Sequence, residues 1–280
     1  MSLDLHIHST YSDGTLTPAQ VVNLAGRRRL TAIALTDHDT VDGFGPAQEA
    51  ACDQPLEVIA GLEISALHRG MSMHILGYLM DTGNPGLLTM LSRLQRGRVE
   101  RNAEILHRLQ TLGVSIDNEE LQRISGGGQT GRPHIARMLV AKGVVGSMMQ
   151  AFEKYLGREG SAYMPRPVPT AEEAITVLRA AGGISVLAHP QQMDPGLDRL
   201  PALLEALVEI GLDGVEGYYP THSAKTRRKI VAAAGTYGLV LTGGSDFHGD
   251  IRPGTTLAGG GNVRVPGELL ELMKARAAGR

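Results

Sequence analysis

The stretch LDLHIHSTYSDGTLTP (residues 3–18) compresses a strand, a turn and a helix start into one short run. A strand projects positions i and i+2 on the same face, so His6 and His8 point one way. The Ser-Asp-Gly turn that follows can fold Asp13 back toward them. Thr17 is then a helix N-cap, with Pro18 at the first helical position. Taken alone, this β-turn-α unit is open to two readings, an exposed polar strand end or the beginning of a metal site.

The chain has 280 residues, 42% of them hydrophobic, enough to bury the core of one large domain or of a domain with an insertion. Formal net charge is -2 with both signs interspersed, which is not the basic field of a general nucleic-acid binder. Any nucleotide recognition must therefore be local. The single cysteine, Cys52, excludes an internal disulfide framework and suits a reducing cytosol. No leader pattern precedes His6, and no run of about 18 apolar residues occurs, so a cytoplasmic protein without a membrane segment is expected. No obligate protein partner is expected, and no internal repeat is visible.

Short apolar, β-rich runs occur at 3–8, 31–36, 56–61 and 72–79, and again at 184–188, 213–217 and 239–243. Helical patterns alternate with the later ones, at 170–181, 198–210 and 221–237. Seven strands alternating with helices predict parallel pairing, and their near-continuous apolar character predicts burial on both faces, as in a barrel or a doubly wound sheet. Between Asn84 and Val168 only helical patterns are found, bounded by DTGNPG and MPRPVP, both of which break regular structure. Residues 84–168 are thus expected to form a helical insertion, with 1–83 and 169–280 as the α/β domain. SGGGQTG (125–131) follows no strand and reads as a flexible connector rather than a phosphate loop.

Chemistry-bearing residues fall on these elements in a pattern. TDHDT holds His38, GLEIS holds Glu63, MHILGY carries His74, LAHP carries His189, and GSDFH carries Asp246 and His248. Most sit just past a strand's C-terminal end, and in a parallel barrel those ends gather on one face. As a set they point to metal binding. Imidazoles mixed with carboxylates and no thiolate suit manganese, iron or zinc. Asp37 and Asp39 read as loop-capping groups beside His38.

In their order, HIHSTYSDG, TDHDT, GLEIS, MHILGY, LAHP and GSDFH resemble the successive motifs of the PHP (polymerase and histidinol phosphatase) family of metal-dependent phosphoesterases. The nearest resemblance is to the subgroup acting on nucleoside 3′,5′-bisphosphates, some members of which trim RNA from the 5′ end. The resemblance implies a distorted seven-stranded (β/α)7 barrel and three divalent ions, manganese first and iron or zinc as alternatives. It implies that His6, His8 and Asp246 hold one ion and that Glu63 bridges it to a second held by His74 and His189. Asp13, His38 and His248 would hold the third.

Metal binding lowers the pKa of coordinated water to roughly 7, so hydroxide forms at neutral pH and no side-chain nucleophile is needed. His222 is a candidate general acid by position, or a helix-start histidine without catalytic duty. In the insertion, Arg98 and Arg101 share a helix face, and Arg132 and His134 open another helix, where backbone N–H groups favour anions. Their match to substrate-contacting segments of related phosphatases suggests that these four bind substrate. Tyr218, Tyr219 and Phe247 read as packing rather than base-stacking groups. The leading expectation is removal of the 3′-phosphate from a small nucleoside 3′,5′-bisphosphate such as pAp. Alternatives are a 5′-to-3′ exoribonuclease on short RNA, a histidinol-phosphate phosphatase, and a non-catalytic assembly module.

Overall fold

The computed structural model describes residues 2–125, 128–252, 254–259 and 264–279. The chain begins with β1 (Ser2–Ile7), α1 (Pro18–Arg27), β2 (Ala32–Leu35), α2 (Phe44–Ala51) and β3 (Glu57–Ile59). Thr17 caps α1 in a reciprocal box with Gln20, as the Thr-Pro signal predicts. There follow β4 (Gly61–His68), β5 (Met71–Tyr78), α3 (Pro85–Thr111), α4 (Asn118–Ile124), α5 (Arg132–Ala141) and α6 (Met148–Ala151), which continues as a π-helical turn over Phe152–Leu156. The chain closes with α7 (Ala171–Ala180), β6 (Ile184–Leu187), α8 (Leu200–Ile210), β7 (Gly214–Tyr218), α9 (Ala224–Thr236), β8 (Val240–Gly243), β9 (Val265–Pro266) and α10 (Glu268–Ala278).

The expected seven-stranded parallel barrel is corrected on two counts. Among the described residues there are nine strands, in sheets ordered β3-β2-β1-β9 and β4-β5-β6-β7-β8, and they form no closed barrel. Pairing is mixed, because β4–β5, β5–β6 and β1–β9 are antiparallel. The run read as one strand at 56–61 ends at Ile59, and a new strand starts at Gly61, where an alanine methyl would lie 2.7 Å from the Leu35 carbonyl oxygen. β4 then turns straight into β5 through Arg69 (φ 48°) and Gly70 (φ 80°). Two consecutive positive φ angles make the two-residue turn that joins antiparallel strands.

The sheets touch through two isolated parallel bridges, Ile7 with Phe247 and His38 with Glu63. Both seams lie beside predicted metal ligands. Leu5, Ala34, Leu76, Val186 and the interior Tyr78 pack in a core that α10 closes with Leu270 and Met273. Tyr78 satisfies its hydroxyl on the Leu5 carbonyl at 2.7 Å. α1 and α2 cover one sheet, while α7, α8 and α9 cover the other.

Helix α3 has 27 residues, about 40 Å of helix. Leu87, Leu91 and Leu94 in its first half belong to the main core, whereas Ile105 and Leu109 belong to a separate core with Leu121, Ile135, Leu139 and Leu156. Of the glycine-rich stretch, Gly126 and Gly127 lie outside the described residues. The described remainder is packed rather than loose: Gly128 abuts Thr10, and Gln129 N donates to Tyr11 O at 3.1 Å.

At the exit of β8, a methyl on Gly244 would lie 2.3 Å from the His6 amide nitrogen. Gly244→Ala is therefore expected to destabilise the fold by about 1–3 kcal/mol, read as a lower urea midpoint. An unchanged midpoint would show that the β1–β8 seam has slack.

Candidate metal centre

All nine predicted ligands converge. Their donor atoms form interlocking groups within 4.8 Å of one another: His8, Asp13, His38 and His248; His6, His8 and Asp246; His6, Glu63 and His189; and His38, Glu63 and His74. The alternation of β1 places both histidines inward, and the backbone at Asp246 (φ 50°) and His189 (φ 25°) is left-handed, turning these side chains into the mouth. Glu63 lies between two imidazoles on one oxygen, His74 Nδ1 at 2.8 Å and His189 Nε2 at 3.0 Å, and two on the other, His38 Nδ1 at 2.9 Å and His8 Nε2 at 3.3 Å. Asp246 Oδ1 lies 3.3 Å from His8 Nε2 and 3.5 Å from His6 Nε2, and Asp13 Oδ1 lies 3.3 Å from His248 Nε2.

Those separations suit cations. Two ligands each about 2.1 Å from a tetrahedral ion are about 3.4 Å apart. Nε2 of His6, His8 and His248, Nδ1 of His38 and Nδ1 of His189 are buried without a hydrogen-bond partner. Burial alone would raise the carboxyls of Glu63, Asp13 and Asp246, yet the surrounding imidazoles hold all three well below the usual carboxylate range. The imidazole of His8 is pushed down to about 3 by burial and by His248 and His38, which keeps it neutral. Against burial, the carboxylates raise His6, His74 and His248. In the ion-free cluster protons thus hold the place that a divalent cation would take, and metal binding would displace them. The residues present thus fit a divalent-metal cluster.

Three further buried carboxylates brace it. Glu216 accepts from His6 Nδ1 at 2.9 Å and from the His189 amide at 2.7 Å. Asp37 accepts from Ser9 N, Ser9 Oγ and Ser12 Oγ at 2.6–2.7 Å, fixing the turn that carries Asp13. Asp4 holds Ser245 N at 2.9 Å and Ser245 Oγ at 2.6 Å, fixing the loop that carries Asp246. Asp37 is the loop-capping group expected from sequence. Asp4 and Glu216 were not anticipated, although an acid inside an otherwise apolar strand is a readable signal. Tyr219 Oη donates to Asp246 Oδ2 at 2.7 Å, and Arg252 binds the same oxygen, leaving Oδ1 to face His6 and His8. Phe247 packs with α1 and α2, as expected.

His222 stands outside the donor groups. Its Nδ1 faces the Gly217 carbonyl at 3.0 Å, and its ring lies 5.2 Å from that of Tyr219, which in turn lies 5.6 Å from His189. Among the insertion residues, Arg98 gives Nε and Nη2 to Asp39 Oδ2 at 2.8 and 2.5 Å, so it is an anchored strut rather than a free donor. Arg101 is 7% exposed and contacts Asn102 Oδ1. Burial and the nearby guanidinium groups of Arg98, Arg166 and Arg132 push it down to about 8. Arg132 lies over the Phe152 and Tyr163 rings and donates to Leu156 O at 3.1 Å. His134 accepts from Gly131 N at 3.1 Å, and burial lowers it to about 4. Asp39, among the described residues the one carboxylate paired within this arginine cluster, is held down at about 2 despite burial by Arg98 and Arg166.

Residues 4–156 match the PHP domain family. The chain belongs to the PHP family. It is 36% identical over 247 residues to the 5′-3′ exoribonuclease Rnm of Escherichia coli (strain K12), covering 88% of this chain and 84% of that one. It is 32% identical over 256 residues to the 3′,5′-nucleoside bisphosphate phosphatase of Chromobacterium violaceum, covering 88% and 87%. A solved structure from Bifidobacterium adolescentis, described as a metal-dependent phosphoesterase, superposes with a TM-score of 0.88 at 31% identity, covering 99% of this chain and 98% of that one. This PHP protein is accordingly a hydrolase of phosphoester bonds. Among its described residues, no helix is long and apolar enough to cross a membrane.

Glu63→Gln is expected to strip metal from the purified PHP protein while far-UV circular dichroism stays unchanged. Glu216→Gln, which leaves one acceptor oxygen where His6 Nδ1 and the His189 amide now have two, is expected to weaken metal affinity by about 10–100-fold. Wild-type metal content by mass spectrometry in both variants would refute this reading of the cluster.

Proposed function

We propose that this PHP protein removes the 3′-phosphate of nucleoside 3′,5′-bisphosphates, such as pAp to AMP, with three divalent ions, manganese first, held by the nine ligands. The observation that carries the reading is a second anion-seeking centre beside the first. Arg98 and Arg166 both donate to Asp39 Oδ2, and with Arg132 they lie near enough to Arg101 to add to the burial that pushes it down to about 8. Among the described residues only the Asp39 carboxylate is paired with these four arginines. A substrate with two phosphates matches two such centres, whereas one phosphate would leave the arginine cluster uncompensated. A cleft of about 300 Å³ lined by Tyr11, Gln95, Arg98, Gln129 and Thr130 adjoins the cluster, a volume within the range of small-ligand sites.

Bound divalent ions supply an acidified water and neutralise charge on the phosphoryl oxygens. The chain's own part is orientation. Glu216 and the Asp246 carbonyl hold Nδ1 of His6 and His248, so that each Nε2 faces the centre. Residues 84–168 act in this reading as the substrate cap, with Arg101, Arg132 and His134 toward the distal phosphate. His222, with Nδ1 on the Gly217 carbonyl and Nε2 buried without a partner, is the candidate general acid in this reading.

A 5′-phosphorylated RNA end presents the same pair of phosphate groups and is the second reading, favoured by the identity to Rnm. Histidinol phosphate, with one phosphate, leaves the cluster idle, and the hydrolase assignment sets aside a purely structural module. With manganese, pAp is expected to be cleaved with a kcat/KM at least about 10-fold above that of histidinol phosphate, the value of one charge-assisted phosphate contact. Faster cleavage of histidinol phosphate would sink the proposal. Faster release of mononucleotides from a 5′-phosphorylated RNA oligomer would move it to the second reading.

A further inference from the structure

Arg166 lies in the proline-bounded segment that returns from the helical region to α7. Its Nη2 donates to Asp39 Oδ2 at 2.7 Å and to Ser65 Oγ at 2.9 Å. Its Nη1 is buried with no acceptor, on a side chain 7% exposed. Ser65 is the register partner of His74, and it shares a strand face with Glu63 two residues back. The guanidinium therefore stands one side chain from the metal donors, on the side where Arg98 and Arg132 also lie close enough to lower its pKa to about 10 in addition to burial. A buried N–H group without an acceptor is costly, and a ligand that brings the acceptor removes the cost.

We propose that Arg166 is a specificity-determining residue that binds the distal phosphate of the substrate through Nη1, with Asp39 as the positioning residue that holds it in place. The inference rests on the bisphosphate reading above and adds a contact outside the motifs that carry the family resemblance. Asp39 and Ser65 fix Nη2 and leave Nη1 with no acceptor, so the donor is held in place before substrate arrives. Arg98, with two nitrogens committed to the same Asp39 oxygen, stiffens that carboxylate. Lysine in place of Arg166 could reach either Asp39 or the phosphate but could not fork between them.

The test compares manganese-loaded wild type, Arg166→Gln and Arg166→Lys on adenosine 3′,5′-bisphosphate and on 3′-AMP, which keeps the scissile phosphate and lacks the distal one. Binding of 5′-AMP to the metal-free proteins is followed by calorimetry. For Arg166→Gln, kcat/KM on the bisphosphate is expected to fall roughly 10–100-fold, with 5′-AMP affinity falling in parallel. The value on 3′-AMP and the metal content should stay at wild type. Arg166→Lys should fall between the two, and it preserves the comparison if the glutamine variant does not fold. Equal losses on both substrates, or none, would overturn the assignment. Failure of the underlying reading has a different signature, since wild type itself would then show no preference for the bisphosphate over 3′-AMP.

Discussion

The Glu63 carboxylate has a side chain only 1% exposed and five imidazoles, those of His6, His8, His38, His74 and His189, within 3.6 Å. An isolated buried carboxylate would be strongly unfavourable. Here its charge is shared among donors from both sheets. The backbone of the same residue pairs with Asp37 and Asp39, forming one of the two seams between those sheets. Fold and site thus meet in one residue, while the sheets themselves are held by the apolar core they share through Leu5, Ala34, Leu76, Tyr78 and Val186.

The site was far more legible in the sequence than the fold. Metal ligands announce themselves locally, as His-x-His on a strand or Ser-Asp-Phe-His past one, and chain geometry fixes which way they point. The nine candidate donors are legible in that way and the structure brings their donor atoms together, with the family resemblance supplying their assignment to ions. Strand pairing is not local. The Arg69-Gly70 turn closes a hairpin with arginine where asparagine or aspartate is the usual signal, so β4 and β5 were not recognised as an antiparallel pair. The helices α7, α8 and α9 alternate with β6, β7 and β8 as expected, because there each strand's pairing partner is reached only through a helical crossover.

Charge partners were the other blind spot. Arg98 reads as a free guanidinium on a helix face until Asp39, 59 positions away in sequence, closes on it. Glu216 lies 210 positions from His6, and no spacing rule links them. Asp39 reads as a loop cap in the sequence and does accept from the Ser65 amide at 3.0 Å, but it also takes Arg98 from α3 and Arg166 from the segment before α7.

Helix α3 has its first half buried in one core and its second half in another, with no break between. A cover attached by loops can swing aside, but one built on a continuous shaft seated at both ends cannot move without tearing apolar side chains out of one of its sockets. The opening over the donor cluster is then a standing doorway, its width set by the packing of both cores rather than by the swing of a hinge.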